Sequence, residues 1–115
     1  LYLYLPDEPI PSEYPALVHL ADLLHQADSQ LQAMATEQIA DGLIDAVDIW
    51  CPDEPLFTDS LPWGPGPDDY PVRQALGEHV WWYNCMSAQF VVEYSSHFVD
   101  APGLSMRIWP WLTRR

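Results

Sequence analysis

Prolines set the first limit on what this chain can fold into. Pro6, Pro9, Pro11 and Pro15 crowd its start, and Pro52, Pro55, Pro62, Pro65, Pro67 and Pro71 crowd its middle. A proline ring fixes its own backbone torsion, supplies no N–H and pushes the preceding residue away from helical conformation. Regular elements are therefore expected between these clusters. Residues 1–15 read as an extended Pro-rich arm, opened by the alternating Leu-Tyr stretch Leu1–Leu5 with its strand character. Residues 51–70, which include Trp63-Gly64-Pro65-Gly66-Pro67, read as a Pro/Gly-rich loop. Its Leu56, Phe57, Leu61 and Trp63 would pack it onto the body.

Between the clusters the apolar spacing is helical. Pro15 suits the first turn of a helix, and Leu17, Leu20, Leu24, Leu31 and Met34 follow at roughly helical intervals, with a restart at Ser29. A second helix is expected over Thr36–Trp50, with the stripe Ile39, Leu43, Ala46, Val47 and Trp50. Asp69 followed by Pro71 is a third helix start, for a helix that could run from Pro71 into the Val80–Met86 region. Val80–Tyr83 and Phe90–Val92 are rich in strand-favouring residues, so residues 80–99 stay open between helix and strand. The predicted fold is mainly α, a single small domain over residues 1–115. The alternative is α+β, with a small antiparallel sheet built from the N-terminal strand and the C-terminal part.

Charge is the feature that bears on function. The formal net charge is −13, and the chain has no Lys. Residues 1–72 hold every acid except Glu78, Glu93 and Asp100, and hold no Arg. Such a surface repels nucleic acid and anionic membranes and attracts basic proteins. On the expected second helix, Glu37, Asp41, Asp45 and Asp48 fall on one face. Their spacing would make a ridge about 16 Å long at the rise of an α-helix, with no base nearby to relieve the repulsion. Asp53 and Glu54, then Asp68 and Asp69, extend the acidic set. These eight residues are the candidate partner-binding surface.

Other chemistry has weaker signals. His19, Asp22 and His25 lie on the first helix, but the third rotates away from the other two, which reads as a surface histidine pair and not a metal site. No window matches an EF-hand, and no metal or cofactor is expected. Cys51 and Cys85 make neither a disulfide scaffold nor a zinc site, which favours a reduced, cytoplasmic protein. Cys85 with His79 or His97 would be the thiol–histidine pair of a small enzyme, yet a Cys among Trp, Tyr and Met is ordinarily core. Glycosidase-type carboxylate pairs need a spatial separation that a sequence does not give. The aromatics Trp81, Trp82, Tyr83, Phe90, Tyr94, Phe98, Trp109 and Trp111 exceed what a small core takes up, which points to a homodimer through the C-terminal part.

In charge, the chain resembles small acidic inhibitors that mimic DNA, such as anti-restriction and anti-CRISPR proteins, and acidic immunity proteins or antitoxins. That resemblance implies a non-enzymatic, DNA-mimicking inhibitor whose carboxylates occupy the nucleic-acid-binding site of a basic partner. Neutralisation of a basic toxin is the alternative, and a small enzyme ranks third.

Overall fold

A computed structural model describes residues 1–53, 68–84, 103, 107 and 109–112. It is an α/β fold built on a four-stranded, all-parallel sheet, which overturns the mainly α expectation and its antiparallel alternative. The strands are β1 (Tyr2–Tyr4), β2 (Gln32–Ala35), β3 (Ile49–Trp50) and β4 (His79–Val80), paired in that order. Helix α1 (Tyr14–Ala27) connects β1 to β2. A 3-10 turn (Asp41–Leu43) lies between β2 and β3, and helix α2 (Asp69–Ala75) precedes β4. A four-residue helix α3 (Trp109–Leu112) lies near the C terminus.

The Leu-Tyr alternation of the first residues does form a strand, with Tyr2, Leu3 and Tyr4 in register with Gln32, Ala33 and Met34. Helix α1 begins with proline in its first turn, as expected. It ends at Ala27, where Asp28 turns extended and its carboxylate accepts the Gln30 N–H at 2.9 Å. Leu31 and Met34, read from their spacing as helical, instead lead into and lie within β2.

No helix spans Thr36–Trp50. The stripe Leu43, Ala46, Val47 and Trp50 is nonetheless buried in a single cluster with Leu5, Leu17, Ala21, Ala33 and Ala35, and Ile39 packs against it. The spacing therefore reported burial correctly and local structure wrongly. A loop, a 3-10 turn and a short strand deliver the same side chains to the same layer. Gly42 is required there, because a Cβ would come within 2.9 Å of the Tyr14 ring.

Strand alternation sends Leu5, Ala33, Ala35 and Trp50 to the helix-covered face, and Met34, Ile49 and Cys51, with Tyr83, to the opposite one. The Tyr2 and Trp81 rings meet edge to face at 5.1 Å, linking β1 to the residue that follows β4.

Helix α2 forms where Asp69 and Pro71 announce one, but it ends at Ala75 in a Schellman motif and does not run on into Val80–Met86, because Gly77 turns the chain and His79–Val80 pairs as β4. The Gly77 and Glu78 N–H groups bond back to Gln74 and Arg73, and Gly77 takes the left-handed conformation, φ +99°. This turn delivers the Glu78 carboxylate to the Arg73 guanidinium and to the indole N–H of fully buried Trp50, which donates at 2.5 Å. Among the described residues no helix is long and apolar enough to cross a membrane.

Candidate active site

Parallel strands put their carboxyl ends on one edge, and the loops leaving that edge are where parallel α/β folds place their functional groups. Past β1 come Asp7 and Glu8; past β2 come Thr36 and Glu37; past β3 comes Asp53, and past β4 comes Tyr83. The ladder continues through Asp53 and Tyr83, which form an isolated parallel bridge. Four carboxylates from three adjacent strands thus share one edge.

Their hydrogen bonds are specific. The Tyr4 hydroxyl donates to Asp7 Oδ1 at 2.5 Å, and the Thr36 hydroxyl donates to the same oxygen at 2.8 Å. Thr36 Oγ1 also accepts the Glu8 N–H at 2.9 Å. The Tyr83 hydroxyl donates to Glu8 Oε1 at 2.5 Å, closing a link from the end of β4 to the end of β1. Glu8 sits at φ +44°, a conformation that costs a residue with a side chain on the order of 1 kcal/mol or more. Glu37 is half-buried and accepts the Gln38 N–H at 2.9 Å.

These surroundings push two carboxyl groups in opposite directions. The Tyr4 hydroxyl, and then that of Thr36, hold Asp7 below the ordinary aspartate range by bonding its charged form. Burial raises Glu37 above the ordinary glutamate range, and the charge of Glu8 adds to the rise, against the bonds from Gln38 and Tyr14. Tyr14 is itself raised, by burial and then by Glu37, so it stays a donor. Titratable groups whose environments drive them apart are the mark of an acid–base pair. The Cys51 thiol, close by, is pushed up to about 11 by burial and is inert as a nucleophile.

The eight residues read from the sequence as one acidic surface are dispersed. Without the helix there is no ridge. Glu37 lies two residues past the end of β2, Asp41 opens the 3-10 turn and Asp45 stands exposed in a turn at φ +68°. Asp48 lies at the amino-terminal edge, half-buried, where it accepts the Ala33 N–H at 2.7 Å and lies 2.8 Å from His25 Nε2. Asp53 is buried at the carboxyl-terminal edge. Asp68 and Asp69 are exposed, and Asp69 joins Asp41, Ile39, Val72 and Arg73 around a groove of about 340 Å³. Glu54, Cys85 and His97 lie outside the described residues, as do Phe90, Tyr94 and Phe98 of the expected dimer surface. Of the first-helix trio, His25 engages Asp48, while His19 and Asp22 are exposed. Among the described residues no cluster of three or more His, Cys, Asp or Glu could hold a metal ion.

Asp7 and Glu8 stand out in the sequence as an acidic pair but outside the candidate surface, and Thr36 does not stand out, because nothing there shows that a parallel strand ends before them. The available signal was local, an acidic pair directly after an alternating apolar run. Comparison with protein-family models, curated proteins and solved structures found no match.

Proposed function

We propose that the carboxyl-terminal edge of the sheet is an acid–base hydrolytic site for a neutral, hydroxyl-rich substrate, with glycosides as the class it fits. The observation that carries this reading is the placement of Asp7 with Glu8 past the end of β1 and of Glu37 past the end of the adjacent β2, where the Glu8 charge acts on Glu37, with Asp7 held below its ordinary range and Glu37 pushed toward its protonated form. Glu37 is the proton donor to a leaving oxygen. Asp7 is the carboxylate that activates water or stabilises the cation opposite, with Glu8 beside it.

Electrostatics support the substrate class. Residues 1–72 hold no Lys or Arg, and Arg73 is engaged by Glu78. A site of this sign opposes phosphates and other anions, and it opposes reactions whose transition states gain negative charge. Glycoside cleavage runs through a transition state that gains positive charge, and it uses two carboxyl groups in different protonation states. The test is release of nitrophenol from a panel of aryl glycosides by the purified protein. Turnover that is lost in Glu37→Gln supports the reading, and a folded protein that turns over none of the panel contradicts it.

The charge distribution favours a second reading. Exposed Asp22, Asp28, Asp41, Asp45, Asp68 and Asp69 form an acidic exterior suited to a basic protein partner, as in a DNA-mimicking inhibitor or a toxin-neutralising protein. Such binding weakens steeply with salt and with Asp41→Asn, Asp45→Asn and Asp69→Asn together. Capture of a basic protein that neither salt nor the triple variant disturbs would exclude it.

A further inference from the structure

One hydroxyl joins the two acidic residues that follow β1. Thr36 is almost fully buried at the end of β2, and its Oγ1 is bonded on two sides. It accepts the backbone N–H of Glu8 at 2.9 Å and donates its only proton to Asp7 Oδ1 at 2.8 Å. The Tyr4 hydroxyl lies 3.3 Å away, but its own proton goes to Asp7 over the shorter 2.5 Å distance. The arrangement is directional, running from the Glu8 amide through the Thr36 hydroxyl to the Asp7 carboxylate, and bonds in such a chain polarise one another.

We propose that Thr36 is the positioning residue of this edge, fixing Glu8 in its left-handed conformation and holding Asp7 against it as one unit. Glu8 needs an external hold, because an L-residue gains nothing locally from φ +44°. The hold has two points. Thr36 takes the backbone, and the Tyr83 hydroxyl, from past the end of β4, takes the carboxylate at 2.5 Å. Tyr83 fixes where the Glu8 carboxylate lies, and Thr36 fixes the backbone from which it projects. A valine at position 36 keeps the shape and removes both bonds. A serine keeps both bonds and removes one methyl. This inference rests on the acid–base reading of the edge, but its first test needs no substrate.

The experiment is a carbon-13 NMR titration of the side-chain carboxyls in the unmodified protein, Thr36→Val and Thr36→Ser. Loss of the hydroxyl donor should move the Asp7 titration upward in Thr36→Val, and Thr36→Ser should restore it. In the unmodified protein the Glu8 amide resonance should titrate along with the Asp7 carboxyl, because the Thr36 hydroxyl links them. That readout holds even if Thr36→Val does not fold. With a substrate in hand, Thr36→Val should lower kcat about 10- to 100-fold at nearly constant KM, by misplacing groups it does not replace. Unchanged Asp7 titration in folded Thr36→Val, or a Glu8 amide indifferent to Asp7, overturns the proposal. If the titrations couple but no glycoside is cleaved, the positioning role stands and the hydrolytic reading falls.

Discussion

The two edges of the parallel sheet handle polar groups in opposite ways. At the amino-terminal edge, Asp48 accepts the Ala33 N–H and engages His25, tying β2, the approach to β3 and the end of α1 together. That carboxylate is absorbed by structural bonds. At the carboxyl-terminal edge, Asp7, Glu8, Glu37 and Asp53 lie on neighbouring strand ends. Two are driven toward different protonation states and one sits in a strained conformation. Stability is served at one edge, and at the other repulsion and strain are held in place by hydroxyl groups. Parallel α/β folds divide labour in this way between the ends of their strands.

The largest expected effect is on chemistry. Replacing the proposed proton donor, Glu37→Gln, should cut kcat by about 100- to 10,000-fold while the fold persists, as steady-state kinetics and circular dichroism would show. The Asp48→Ala variant should do the reverse. It leaves the buried Ala33 N–H without its acceptor, which costs about 1–3 kcal/mol in denaturant unfolding, and it should leave kcat unchanged. It follows that neutralising Glu37, Asp41, Asp45 and Asp48 together would not be neutral for stability, contrary to what a shared helix face implied.

Backbone strain gives a smaller effect of opposite sign. Glu8→Gly should melt no lower than the parent, with a gain of about 1 kcal/mol from the relieved conformation, while activity is lost. A lower melting temperature would show that Glu8 serves the fold and not the site.

The pH dependence sharpens the contrast further. Glu37 has a raised folded-state pKa, so the native state holds its proton more tightly than the unfolded chain does. Its contribution is present below the ordinary glutamate value of 4.5 and is lost as pH rises through the raised value. Asp7 is depressed, so its contribution is present above the ordinary 3.8 and is lost as pH falls through the lowered value. Unfolding free energies measured across this range should lose their decline above pH 4.5 in Glu37→Gln, and that decline should persist in Asp48→Ala. Activity should follow a bell, with Asp7 on its acid limb and Glu37 on its basic limb.

The sequence revealed the core better than the framework. Leu43, Ala46, Val47 and Trp50 are buried together as their spacing implied, and α1 and α2 carry in their first turns the prolines Pro15 and Pro71 that announced them. The short strands were illegible for physical reasons. Ala33-Met34-Ala35 is a good helix sequence by intrinsic preference, and only packing beneath α1 makes it a strand. β3 and β4 have two residues each, too few to display any alternation. Parallel pairing is also wholly non-local, so the edge that gathers Asp7, Thr36, Glu37 and Tyr83 cannot be read from spacing.

The most direct measurement compares one variant from each edge, Glu37→Gln and Asp48→Ala, for aryl glycoside hydrolysis and for unfolding free energy in the same buffers. The account predicts a crossed result: Glu37→Gln loses turnover and keeps its stability near pH 7, whereas Asp48→Ala loses stability and keeps its turnover. Equal turnover in both variants, or none in the folded parent, would contradict it.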